Sequence, residues 1–177
     1  MEAESFQARN GKSFKVRPAA VDDYDESIKT FAEVASEKVY LNTETLDPNT
    51  KQIWLERWQN NTKNSLFCVA EMEGKLVGGI VLNRYSRSPK TDHVLELGIW
   101  ILKDFRKLGI GGALFTYARD WAMKAGFVRK IVLGVFSNNL HAIHFYLSRG
   151  FRIEGNRRDV ALINGNLCDE ILMSLDF

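Results

Sequence analysis

A chain of 177 residues, 45% apolar and 26% charged, has the composition of one ordinary globular domain able to bury its own core. Its 24 Lys and Arg against 22 Asp and Glu leave a net charge of only +2, which excludes a histone-like nucleic-acid coat and a disordered acidic tail. The longest apolar runs, residues 77–82 and 97–102, fall well short of the ~18 needed for a membrane span. Two cysteines, Cys68 and Cys168, make neither a disulfide framework nor a zinc ribbon, and residues 1–10 resemble neither a signal nor a transit peptide. The expected setting is the reducing cytoplasm.

In chain order, residues 14–17 alternate as a short strand that stops at Pro18. Asp22 or Asp23 then caps a helix on which Ile28, Phe31, Val34 and Ala35 recur at helical spacing as far as about Glu37. Residues 40–50 form a loop containing Pro48. Ile53, Trp54, Leu55 and Trp58 suggest a second short helix, ended by Asn60 and Asn61. Residues 66–71 and 76–83 read as a hairpin about Glu73-Gly74, and residues 93–102 as a further strand. Gly109, Gly111 and Gly112 open a helix whose Leu114, Tyr117, Ala118, Trp121 and Ala122 form one apolar stripe, closed by Gly126. A strand over residues 131–136, a helix over 139–149 and two closing strands over 151–154 and 167–175 complete the chain. The pattern predicts an α/β domain: a mixed, largely antiparallel sheet of about seven strands flanked by about four helices.

The stretch that carries chemistry is Arg106-Lys107-Leu108-Gly109-Ile110-Gly111-Gly112, between a strand and an amphipathic helix. Glycines permit a tight turn whose backbone N–H groups point inward, and the helix N-terminus adds partial positive charge. Together they cradle a phosphate or pyrophosphate, with Lys103, Arg106 and Lys107 bringing side-chain charge. The string alone would arise by chance in roughly one chain of this length in 25; its position between strand and helix gives it weight. Two other phosphate motifs fail. Leu114 stands where a dinucleotide fingerprint needs its third glycine, and Phe6 where a Walker A loop ending at Gly11-Lys12-Ser13 needs its first.

On the last helix, Asn139, Ala142 and Tyr146 share one stripe that suits a ligand lying along it. Leu140, Ile143 and Leu147 form a separate stripe, the better candidate for core packing. Taken together, the glycine loop and Asn139-(x)2-Ala142-(x)3-Tyr146-(x)3-Gly150-Phe151 resemble the signatures of the GNAT superfamily of acetyl-CoA-dependent N-acetyltransferases. The resemblance covers about residues 65–177. It implies a single-domain GNAT-like fold over residues 13–177, preceded by an N-terminal extension, residues 1–12. It also implies that the pantetheine arm of acetyl-CoA pairs with Ile99, Trp100 and Ile101. Backbone N–H groups from Lys107 to Gly112 would hold the pyrophosphate, Asn139 would hydrogen-bond the cofactor, and Tyr146 would be the general acid beside the thioester sulfur. Relatives that acetylate ribosomal-protein N-termini often carry a catalytic glutamate five residues before the asparagine. Here that position is Gly134.

A base must then come from elsewhere, and Glu96, a carboxylate inside an otherwise apolar strand, is the candidate; burial there would raise its affinity for protons. Glu37, Tyr40 and Glu44 would rim the acceptor site. His141 and His144 lack the further ligands of a metal site, so no metal is expected. No basic run interleaves with the aromatics, so nucleic acid is not an expected partner. The expected reaction is direct transfer of acetyl to a primary amine in a ternary complex, with a small or amino-acid-like acceptor preferred over a peptide N-terminus. A homodimer and a non-catalytic acyl-CoA-binding module remain open as alternatives.

Overall fold

The computed structural model describes residues 1–41, 64–86 and 88–177. Within them, eight strands form one sheet. They are β1 (Glu4–Gln7), β2 (Ser13–Pro18), β3 (Leu66–Met72), β4 (Lys75–Arg84), β5 (Val94–Ile101), β6 (Lys130–Phe136), β7 (Arg152–Ile163) and β8 (Asn166–Asp176). Three helices flank them: α1 (Tyr24–Ala35), α2 (Ile110–Ala125) and α3 (Leu140–Leu147). The sheet order is β1-β2-β3-β4-β5-β6-β8-β7, and every neighbouring pair is antiparallel except β5 and β6. A crossover through α2 makes that pair parallel, as a strand–helix–strand unit must. The helix and loop expected over residues 42–61 lie outside the described residues.

The sheet has one strand more than the sequence suggested, because residues 4–7 form its edge. Glu4-Ser5-Phe6-Gln7 is too polar for periodicity to mark it, yet its register against β2 stacks Phe6 on Phe14 with ring centroids 5.5 Å apart. Residues 1–12 are thus knitted to the domain. The Tyr117 hydroxyl donates to the Glu2 carbonyl at 2.8 Å, and the Arg9 N–H to the Leu108 carbonyl at 3.0 Å.

Alternation along β5 sorts its side chains between two cores. Leu95 and Leu97 enter the main cluster under α2 and α3, with Ile99 and Ile101 packed against it. Trp100 faces the other way, into a smaller cluster with Val34 of α1, Phe67 and Val69. Its indole N–H donates to Thr30 of α1 at 3.2 Å, and its ring meets Phe31 and Phe67 edge-on. Trp100 can therefore serve a ligand only through its backbone. Gly79 makes room for the indole, since a Cβ there would lie 2.5 Å from Trp100 Cζ2 and 3.0 Å from the Cys68 carbonyl oxygen. Gly79→Ala should accordingly cost about 1–3 kcal/mol of stability by overpacking, read as a lower urea midpoint with an unchanged slope.

Asp23 is the residue before α1, but its carboxylate does not cap the helix. It accepts from the Ala20 N–H at 2.7 Å and from both terminal nitrogens of Arg17, and that guanidinium holds its pKa below the ordinary value. Among the described residues no helix is long and apolar enough to cross a membrane.

Candidate active site

β5 and β6 pair over only three positions, Val94–Glu96 with Lys130–Val132. Both strands continue, to Ile101 and to Phe136, while their other edges stay bonded to β4 and β8. Beyond Glu96 the two parallel strands part. The wedge between them offers strand edges to an extended ligand, as a peptide-like chain adds to an open sheet edge. Ile99, Trp100 and Ile101 line its β5 lip, where the sequence had placed the pantetheine arm.

At the open end of the wedge, β5 runs through a short 3-10 turn into the glycine loop. Lys107 adopts φ +62° and Gly109 φ +96°, a reversal that turns successive N–H groups to one side. The N–H groups of Lys107, Gly109, Ile110, Gly111 and Gly112 have no acceptor among the described residues, and the first intrahelical bond runs from Ala113 to Gly109. These five donors at the positive end of a 16-residue helix fit a pyrophosphate group. The Arg9 N–H fixes the loop from behind through the Leu108 carbonyl.

Arg106 does not belong to this cradle. Its Nε donates to the Ile101 carbonyl at 2.9 Å, its two terminal nitrogens bind the Glu37 carboxylate, and Tyr40 lies 5.4 Å away, under the guanidinium. Its own N–H is taken by the Lys103 carbonyl. A bidentate carboxylate satisfies the planar guanidinium better than an exposed loop could, so Arg106 fastens the loop to the end of α1. Glu37 and Tyr40 are thereby engaged in holding Arg106, and Glu44 lies outside the described residues. Among the described residues, the cations near the loop that are left for an anion are the exposed side chains of Lys103 and Lys107, together with Arg149, which the sequence reading missed. Arg149 follows α3, rests 3.6 Å over the Phe145 ring and donates to the Phe145 carbonyl. A Cβ on Gly112 would lie 3.0 Å from its Nη2, so this guanidinium borders the cradle. Its place just before Gly150 in the second signature was the available signal.

Asn139 is the N-cap of α3, and its side-chain oxygen accepts from the Ala142 N–H at 3.1 Å. Its NH₂ group and the second lone pair of that oxygen remain for a ligand. The burial expected along α3 holds for Ile143, which packs against the main core, and fails for the rest of its stripe. Leu140 and Leu147 are exposed, while Tyr146 is buried with its ring 5.3 Å from both Phe145 and Phe151. Phe145 and Phe151 both pack against Phe115, and this aromatic cluster holds the helix with Tyr146 turned inward. The Tyr146 hydroxyl has no partner among the described residues, and burial pushes its pKa above the ordinary phenol value. It stays protonated at neutral pH.

Glu96 is exposed, so the burial expected for it is not found. Its surroundings explain this. The β5 alternation that buries Leu95 and Leu97 turns Glu96 to the α1 face of the sheet, at the last paired position before the wedge opens. On the same face two residues further along β6 lies Gly134. The Glu170 side chain, reaching across from β8, occupies the space a side chain there would need; a Cβ would lie 2.8 Å from its Cδ. Among the described residues no group of His, Cys, Asp and Glu is placed to hold a metal ion.

A parted parallel strand pair that leads into free N–H groups at a helix N-terminus suits a ligand with an extended arm and a phosphorylated tail. Residues 29–151 match the Acetyltransferase (GNAT) family. The chain is 30% identical over 161 residues to the L-amino acid N-acetyltransferase AaaT of Escherichia coli, covering 90% of this chain and 95% of that protein. It is 26% identical over 158 residues to an N-alpha-acetyltransferase of Sulfurisphaera tokodaii, covering 84% and 86%. The crystal structure of a GNAT-family acetyltransferase from Streptococcus pneumoniae superposes with a TM-score of 0.83 at 27% identity, over 93% of this chain and 99% of that one. The protein belongs to the GNAT family of acetyltransferases, and acetyl-CoA is its acetyl donor.

Proposed function

We propose that this protein acetylates the amino group of a small, amino-acid-like acceptor in a ternary complex. The observation that carries the donor side is the wedge between β5 and β6 ending in five N–H groups with no acceptor among the described residues. The acceptor preference draws support from the similarity to an L-amino acid N-acetyltransferase over 90% of the chain. Glu96, directly or through one water, takes the ammonium proton as the amine attacks the thioester carbonyl at the closed end of the wedge. A β5 backbone N–H facing the wedge beside that carbonyl stabilises the oxyanion, and Tyr146 gives its proton to the departing thiolate. The NH₂ group of Asn139 and the guanidinium of Arg149 assist in holding the donor.

Release of CoA thiol from acetyl-CoA, measured against a panel of L-amino acids and short peptides with free N-termini, tests this reading. Faster release with L-amino acids is the expected result. Release with peptides alone would assign a protein N-terminus as acceptor, and no release despite acetyl-CoA binding would make the protein a binding module.

Tyr146→Phe separates chemistry from packing. The ring contacts persist and no hydrogen bond among the described residues is lost, so stability should be unchanged. A free thiol ionises near ~8.5, and below that pH the leaving thiolate gains from protonation as it departs. A large rate deficit at pH 7 that narrows above about 8.5 is expected from pH-rate profiles of the two proteins. A deficit constant across that range would make Tyr146 a positioning residue.

A further inference from the structure

The structure carries a second carboxylate at the wedge, one that β5 and β6 do not themselves supply. Glu170 stands on β8 opposite Phe136 of β6, and alternation puts both on the face that carries Gly134 and Glu96. Its side chain leans along β6 over Gly134, where a Cβ would come within 3.2 Å of Cγ and 2.8 Å of Cδ. Glycine at 134 is thus the condition for Glu170 to lie there, and the lean brings its carboxylate toward the strand edge that parts from β5. The side chain is only 13% exposed. Oε2 accepts from Arg157 Nη1 on β7 at 3.0 Å, whereas Oε1, the atom placed over Gly134, has no hydrogen-bond partner among the described residues. A largely covered carboxylate with one oxygen anchored and the other free is arranged to receive a donor from outside the chain.

We propose that Glu170, held by Arg157 across the β7–β8 hairpin, seats the acceptor's ammonium group on the α1 face of the wedge, just beyond its closed end, and so selects cationic amines over neutral nucleophiles. The inference rests on the acetyl-transfer reading above and adds a division of labour to it. Gly134 follows Val132, the partner of Glu96, by two residues, which is roughly 7 Å along the strand. The two carboxylates therefore stand on opposite lips of the same opening. Glu170 binds the charged amine, and Glu96 removes its proton when the nitrogen meets the thioester. Arg157 is a positioning residue that keeps Oε1 turned inward.

The test is steady-state kinetics of Glu170→Gln at saturating acetyl-CoA, using the amino acid the wild-type enzyme acetylates fastest. Losing a charge-assisted hydrogen bond should raise KM for the amine roughly 10–100-fold. The kcat should stay within about threefold, because binding common to ground and transition states is what is removed. The melting-temperature rise caused by acetyl-CoA should be unchanged. Arg157→Met, which leaves the carboxylate but frees it to rotate, should raise the same KM by a smaller factor. An unaltered KM in Glu170→Gln, with the wild type active, would overturn the assignment and leave acetyl transfer standing. A KM rise accompanied by a lower melting temperature of the unliganded variant would also overturn it, making Glu170 a brace of the hairpin. A wild type that binds acetyl-CoA but releases no CoA with any amine would remove the acetyl-transfer reading, and this inference with it.

Discussion

Gly111→Asp should abolish the thermal stabilisation that acetyl-CoA gives the wild-type protein. At a ligand concentration one hundred times its Kd, binding to the native state adds about 2.7 kcal/mol. For a chain of this size that corresponds to a rise of roughly 5–10 °C in Tm. Gly111 is the second residue of α2, and its N–H is one of the five donors of the cradle. A carboxylate there would face the phosphates with like charge. The substitution is a fair test because the fold tolerates it. The position does not require a positive φ, and the tightest contact of a new Cβ is the terminal Ile101 Cδ1 at 3.1 Å, which can move. An acidic residue in the first turn also suits the helix dipole, so the unliganded variant should melt near the wild type. A ligand-induced rise that survives in the folded variant would refute the placement of the pyrophosphate on this loop.

Glu96→Gln should lower kcat by about 10²-fold near neutral pH, at the low end of the range for general acid–base groups. The exposure of this carboxylate is the reason for the smaller figure. Water reaches the same place and can take part of the proton-transfer role. The acetyl-CoA-induced rise in Tm should be intact, because Glu96 lies at the closed end of the wedge, away from the loop. The comparison with Glu170→Gln is informative: one variant should lose kcat and the other KM, although both remove one charge from the same face. Turnover of Glu96→Gln within about threefold of wild type would transfer the role of base to another group.

The elements legible in the sequence are those with local signals. The β3–β4 hairpin shows as two apolar runs about Glu73-Gly74, and both residues take the positive φ of a tight turn. Helix α2 begins after Gly109 and ends before Gly126, both left-handed, because only glycine adopts that conformation without strain. The loop and the Asn139–Phe151 signature were readable for the same reason: their chemistry resides in neighbouring residues and in backbone groups.

Contacts between distant segments were not readable. The engagement of Arg106 with Glu37 spans 69 residues, and nothing in its sequence neighbourhood distinguishes it from a phosphate-binding arginine. The rotation of α3 was misread because helical spacing offers two stripes, and which one is buried depends on where Phe115 and Phe151 stand. Glu96 looked buried because its neighbours are apolar, but a strand exposes alternate residues to different surroundings. That Glu170 fills the space at Gly134 follows from the pairing of β6 with β8. Sequence by itself determined the periodicities, the glycine turns and the cradle of N–H groups, since these depend on local backbone preference. Only the tertiary structure decided which charged groups face the wedge, because that depends on strand order, on register and on where β5 and β6 part.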